Sequence, residues 1–187
     1  MDFNKHSNLE GKHAFLSGSN YHWLGYSTEK LMRVFDNLKA KYRGTQLHEF
    51  AENAINLKVK LEHNDDTINM YVNDCIEDNL SPEVVLYYSP HAFGTADAIS
   101  FDGNVLAIYD LKTGKTPASM KQLLIYATFF CLEYGINPSD IQIELRIYQL
   151  GEVIVHHPEP EEIWNIIDIL VTFNELLGPT AAEGVEL

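Results

Sequence analysis

Gly94-Thr95-Ala96-Asp97-Ala98-Ile99-Ser100-Phe101-Asp102-Gly103-Asn104-Val105-Leu106-Ala107-Ile108-Tyr109-Asp110-Leu111-Lys112 is the stretch that decides the fold of this chain. Asp102-Gly103 is a strong hairpin signal with apolar-rich segments on both sides. A two-residue turn there pairs Asp97 with Ile108 and Asp110 with Thr95. Side chains alternate along a strand, so Ile108, Asp110 and Lys112 share one face, and Asp97 joins them across the ladder. The two carboxylates are then diagonal neighbours, roughly 7–8 Å apart at the backbone, and both can reach one cation. Ile99, Leu106 and Ile108 line the acid-bearing face, while Ala98, Val105, Ala107, Tyr109 and Leu111 line the other. Strands that are apolar on both faces are central strands, covered on both sides. Charge at the end of such a strand is costly unless it is paired or coordinates a metal. This geometry suggests a metal-dependent hydrolase.

Around the hairpin, apolar periodicity predicts the remaining elements. Ser27 is an N-cap candidate for a helix over 28–42, and Gly44 marks a break before a second helix over 45–60. A short third helix is expected over 66–79, then a strand over 83–88 opened by Pro82. After the hairpin come a helix over 119–134, ended by Gly135, strands over 141–149 and 153–156, and a last helix over 161–177. The order implies an α/β fold, a mixed central β-sheet flanked by helices, with an N-terminal helical segment. One domain over 1–178 is expected, with residues 179–187 forming a disordered tail.

Composition bounds the function classes. The chain has 187 residues, 45% of them hydrophobic, with nine Phe, ten Tyr and two Trp, enough for a packed core. Its two cysteines, Cys75 and Cys131, are too few for a Cys-only zinc or iron–sulfur site and suggest a reduced, cytoplasmic setting. The start of the chain has no signal-like apolar region, and no run of about 18 apolar residues occurs, so no membrane partner is expected. The net charge is −14, which argues against a free-standing, non-specific nucleic-acid binder. Residues 1–43, however, carry seven Lys/Arg against four Asp/Glu, whereas residues 151–187 carry none against eight. Phosphate contacts are therefore expected from the N-terminal third and from the segment 112–121. Lys112-Thr113-Gly114-Lys115 lacks the Walker spacing, and Gly18 and Gly25 lack a dinucleotide-binding context. His156 and His157 point to opposite faces of a strand and are not expected to share a metal.

Helical spacing adds candidates on either side of the sheet. His48 and Glu52 are four residues apart and share a helix face, as do Gln122 and Tyr126. In chain order, G-x-x-x-H (Gly44, His48), G-x-x-D (Gly94, Asp97), D-L-K-T-G (Asp110 to Gly114) and Q-x-x-x-Y (Gln122, Tyr126) resemble the PD-(D/E)XK nuclease superfamily, most of all its RecB-like, phage-type exonuclease branch. Leu16-Ser17-Gly18-Ser19 is similar to the L-S-x-S segment that opens such domains. Gly25-Tyr26 stands where some relatives carry a cluster-ligating cysteine, so no iron–sulfur cluster is expected. The resemblance covers roughly residues 15–150.

The resemblance implies a restriction-endonuclease-like core and a DNA-cleaving enzyme. His48, Asp97 and Asp110 would bind one or two Mg²⁺ or Mn²⁺ ions, with Glu52 as the alternative to His48. Lys112 would orient or help deprotonate the attacking water, whose pKa the metal lowers. Gln122 and Tyr126 would hold the DNA backbone or support the site, and Ser17, Ser19, Arg33 and Arg43 are looser phosphate-contact candidates. The activity implied is exonucleolytic, in recombination, replication or end processing, phage-encoded and acting in the host cytoplasm. A homo-oligomer could concentrate the positive N-terminal third on a channel, and a single-strand annealing protein or another recombination partner could deliver the strand. The alternative class is a non-catalytic protein on the same fold, engaging a nucleic-acid-processing or defence complex through its acidic surface.

Overall fold

The computed structural model describes residues 5–178; the tail expected over 179–187 lies outside them. The chain divides into two compact units, residues 1–43 and 44–187. In the first, short 3-10 turns at Ser7–Leu9 and Tyr21–Gly25 precede the start of helix α1 (Thr28–Asn56). Phe15 and Phe35 pack with ring centroids 5.1 Å apart, and the Trp23 indole donates to the Ser17 carbonyl at 3.0 Å.

The second unit is built on a five-stranded mixed sheet in the order β1 (Ser81–Ser89), β2 (Ala92–Phe101), β3 (Val105–Lys112), β4 (Gln142–Gln149), β5 (Glu152–His156). Only the β3–β4 pair is parallel; helix α3 (Lys121–Tyr134) makes the connection that such a pair needs. Helix α2 (Thr67–Glu77) precedes the sheet and α4 (Pro160–Leu177) follows it. One core, with Leu106, Ile108, Leu123, Ala127, Leu145 and Ile163, lies between the sheet and α3 and α4. A second, with Ala54, Val72, Cys75, Ala107, Tyr109 and Tyr148, fills the opposite face under α2 and the end of α1. The strand β3 is therefore covered on both sides, as its two apolar faces predict.

Two expectations need correction. Gly44 does not break the helix; α1 runs through it. A single helical glycine costs only about 1 kcal/mol, and here the missing side chain has a use: a Cβ at Gly44 would sit 2.9 Å from Thr113 Oγ1. The hairpin register is also shifted. The ladder pairs Ile99 with Ile108 and Phe101 with Leu106, two residues from the expected pairing. Asp102, Gly103 and Asn104 form the loop, and the Asp102 carboxylate accepts from the N–H groups of Asn104 and Val105, both at 2.8 Å. Because the shift is even, no side chain changes face. Carried one rung further, the observed register sets Asp97 directly opposite Asp110.

The β4–β5 turn is formed by Leu150 (φ 54°) and Gly151 (φ 78°), both in the left-handed region that a type I′ turn requires. Leucine tolerates that conformation poorly, at a cost of roughly 1–2 kcal/mol, and its side chain is 65% exposed. Leu150→Asn should therefore stabilise the protein by about 0.5–1 kcal/mol, read as a higher urea midpoint at unchanged slope.

Candidate metal centre

The β1–β2 ladder is interrupted at two places, at Tyr88 near its end and at one rung in its middle. On the β1–β2 ladder Pro82 pairs with Ala98 and Val84 with Ala96, but Glu83 and Asp97 between them form no pair. Ala96 belongs to the core under α3 and Ala98 to the core on the opposite face, so β2 twists over at Asp97. On β1 the same rung holds Glu83 with φ 51°, a left-handed residue inside a strand. Such a conformation costs a non-glycine residue roughly 1–2 kcal/mol.

That rung gathers ligand atoms. His48, reaching in from α1, has its Nδ1 3.5 Å from Asp97 Oδ2. His48, Glu83 and Asp97 each offer an atom within 4.8 Å of the others, a set able to hold a divalent cation. His48 and Asp97 were expected here. Glu83 was not, although a lone acid in a strand of Val, Leu and Tyr is itself a signal. Glu52, the alternative to His48, stands outside the trio, near enough for its charge to raise the pKa of Glu83 but less than burial does.

Asp110 also stands outside the trio and is the most buried carboxylate of the site, 1% exposed. Its Oδ1 accepts from Lys112 Nζ at 2.9 Å, while its Oδ2 is buried with no hydrogen-bond partner among the described residues. Burial pushes the Asp110 carboxyl up, the Asp97 charge adds to this, and Lys112 opposes it. The carboxyl of Asp97 is likewise raised by burial, against the pull of His48 and of the Leu111 N–H, which donates to Asp97 Oδ2 at 3.0 Å. An unsatisfied buried oxygen near a second, partly buried carboxylate is the donor chemistry that suits a hard cation.

Lys112 spends two of its three N–H donors on Asp110 and on Gln122 Oε1, the latter at 2.8 Å, and the Gln122 Nε2 donates to Tyr126 OH at 2.9 Å. The D-L-K and Q-x-x-x-Y segments thus form one hydrogen-bonded chain. No family model, curated protein or solved structure matches this protein. The glycines of the other segments have local reasons: Gly44 admits Thr113, and a Cβ at Gly94 would lie 2.9 Å from Tyr126 Cε1. The segment after Lys112 is fixed by Gln149, whose amide donates to the Gly114 and Thr116 carbonyls and accepts from the Ala118 N–H.

Ser17 and Ser19 bond each other at 3.2 Å in the N-terminal unit, where Arg33 and Arg43 are exposed on α1. His156 and His157 approach different carboxylates, Glu162 and Glu144, and share no site. A hollow of about 400 Å³ at the start of β3 is lined by Asp78, Tyr109, Glu144 and Arg146. Its charged groups are committed to one another, since Arg146 pairs with Asp74, Asp78 and Glu144.

Two outcomes follow from this geometry. A raised carboxyl makes the folded, metal-free protein bind protons more readily than the unfolded chain, so its stability falls as pH rises from the ordinary carboxylate range through the raised values. Asp110→Asn should flatten that fall and raise stability at pH 7.5 by about 1–2 kcal/mol, one pKa unit being worth about 1.4 kcal/mol; chemical denaturation across pH measures both. Gly94→Ala should drive the Tyr126 ring from its place and cost about 1–3 kcal/mol by overpacking, read by the same method.

Proposed function

We propose that this protein is a metal-dependent DNA nuclease with a restriction-endonuclease-like PD-(D/E)XK core, most simply an exonuclease. The observation that carries the reading is the junction of β2 and β3. There the Asp97 carboxylate accepts from the N–H of Leu111, the residue after Asp110, the Oδ2 of Asp110 has no hydrogen-bond partner among the described residues, and Lys112 is held by Asp110 and Gln122. The order and spacing of the four sequence segments support it, and so does their meeting in one place.

His48, Asp97 and Asp110 would hold Mg²⁺ or Mn²⁺, the oxygens suiting either ion and the imidazole favouring Mn²⁺. A divalent cation held there would supply Lewis acidity toward a phosphoryl oxygen and toward the attacking water. The chain's own groups do the rest. Lys112, with one N–H uncommitted, orients the attacking water and neutralises charge that develops on the phosphate. Gln122 fixes the lysine through its amide oxygen and is itself fixed by Tyr126, so the ammonium is placed before substrate arrives. Water adds to phosphorus, the bond to the leaving sugar oxygen breaks, and that oxygen takes a proton to become a hydroxyl. The basic residues of the N-terminal unit are the phosphate contacts the reading calls on; a homo-oligomer would concentrate them, and an annealing protein would deliver the strand.

The net charge of −14 favours a second reading, a non-catalytic module that docks a basic nucleic-acid-processing or defence partner. Incubation with linear and closed-circular DNA in Mg²⁺ or Mn²⁺ separates the two. Loss of linear DNA alone, abolished in Lys112→Ala by at least about a hundredfold, is the expected result for an exonuclease. Cleavage of closed circles makes the enzyme an endonuclease. No cleavage of either substrate, with or without a basic partner, leaves the docking reading.

A further inference from the structure

We infer that the edge strand β5 is a self-pairing surface, on which a second copy of this chain docks antiparallel about a two-fold axis through Ile154. β5 ends the sheet on one side and has β4 as its only neighbouring strand. Val153, Ile154 and Val155 are all exposed, Ile154 by 45%. A run of β-branched residues with no Pro, Lys or bulge inside it is an edge open to further pairing. The opposite edge, β1, is guarded. It carries Pro82, its ladder is interrupted at Glu83 and Tyr88, and its Tyr87 N–H donates to the Glu133 carboxylate at 2.7 Å.

Register decides what fits this edge. Leu150-Gly151 is a two-residue turn, so Gln149 and Glu152 are a hydrogen-bonded pair, and by alternation so are Ile147 with Ile154 and Leu145 with His156. The N–H and C=O groups of Val153 and Val155 therefore point outward, away from β4. A copy turned about Ile154 sets each Val153 opposite the other's Val155, where the outward groups exchange both hydrogen bonds of the pair. Ile154 meets its own equivalent on the axis, apolar against apolar. At both ends Glu152 faces His156 of the second copy, an acid against an imidazole, in the closer, non-hydrogen-bonded kind of pair. His156 meets its own Glu162 through Nε2 at 3.2 Å, which leaves Nδ1 for the second copy. An axis through Val153 sets Glu152 opposite Ile154, and one through Val155 sets His156 there, so either loses the acid–imidazole match. The strand is complementary to itself in one register.

The test is the mass of the full chain by sedimentation over a concentration series, at about 0.15 M salt, where the repulsion of the two net charges is screened beyond roughly 8 Å. Wild type is expected to double its mass as concentration rises. Val155→Pro removes an outward N–H and leaves the bonds to β4, so it should weaken dimerisation by at least about tenfold at unchanged melting temperature. Cross-linking reads the register. Ile154→Cys lies within disulfide reach of its equivalent and should give a covalent dimer on oxidation by dissolved oxygen, whereas Val153→Cys, roughly 8 Å from its own equivalent, should not. A chain that stays monomeric, a closed ring of three or more copies, or a dimer that persists in Val155→Pro overturns the inference. Cross-linking at position 153 in place of 154 overturns the register and the acid–imidazole match with it.

Discussion

A sheet that is covered on both faces has no inexpensive place for two carboxylates, and this one holds Asp97 and Asp110 on the neighbouring strands β2 and β3. Much of the second unit answers that constraint. Lys112 neutralises one oxygen of Asp110, the Leu111 N–H and His48 address Asp97, and Gln122 and Tyr126 keep the lysine in position. One oxygen is left unanswered, and burial holds both carboxyls above their ordinary range. A fold selected for stability alone would replace the pair with apolar side chains. Here the unfavourable arrangement is kept, and the local devices serve to hold it.

Close approach is the second device. Gly44 lets the start of the sheet-packed part of α1 meet Thr113, just beyond Lys112, and Gly94 lets the Tyr126 ring lie on β2. These contacts set the distances between the helix carrying His48, the strands carrying the acids and the helix carrying Gln122. Gln149 completes the arrangement from β4. It is the register partner of Lys112, so the parallel pairing that positions the lysine also positions the amide that holds the following segment.

Most of the architecture was legible in the sequence, because strand alternation and helical spacing are strong over Val105–Lys112 and Lys121–Tyr134. The five strands and the faces of the hairpin could be read this way; the closeness of His48 to Asp97 came instead from the resemblance of the ordered segments to a known family. Gly44 misled because a glycine's cost to a helix is small beside what packing can recover. The hairpin register misled because Asp102 caps a three-residue loop with its side chain, which the Asp-Gly pair does not reveal. Glu83 was missed for a different reason. Its position depends on an irregular rung between two strands, and periodicity describes only regular ones.

The two cysteines carry a practical consequence. Cys75 lies in the core under α2 and Cys131 in the core under α3, both essentially closed to solvent. Burial pushes both thiols up, Cys131 to about 11, so neither is a useful nucleophile at neutral pH. The sequence contains no other cysteine. A single thiol introduced on the surface can therefore be labelled selectively in the otherwise native chain, and a fluorophore or spin label beside the acids would report what enters the site.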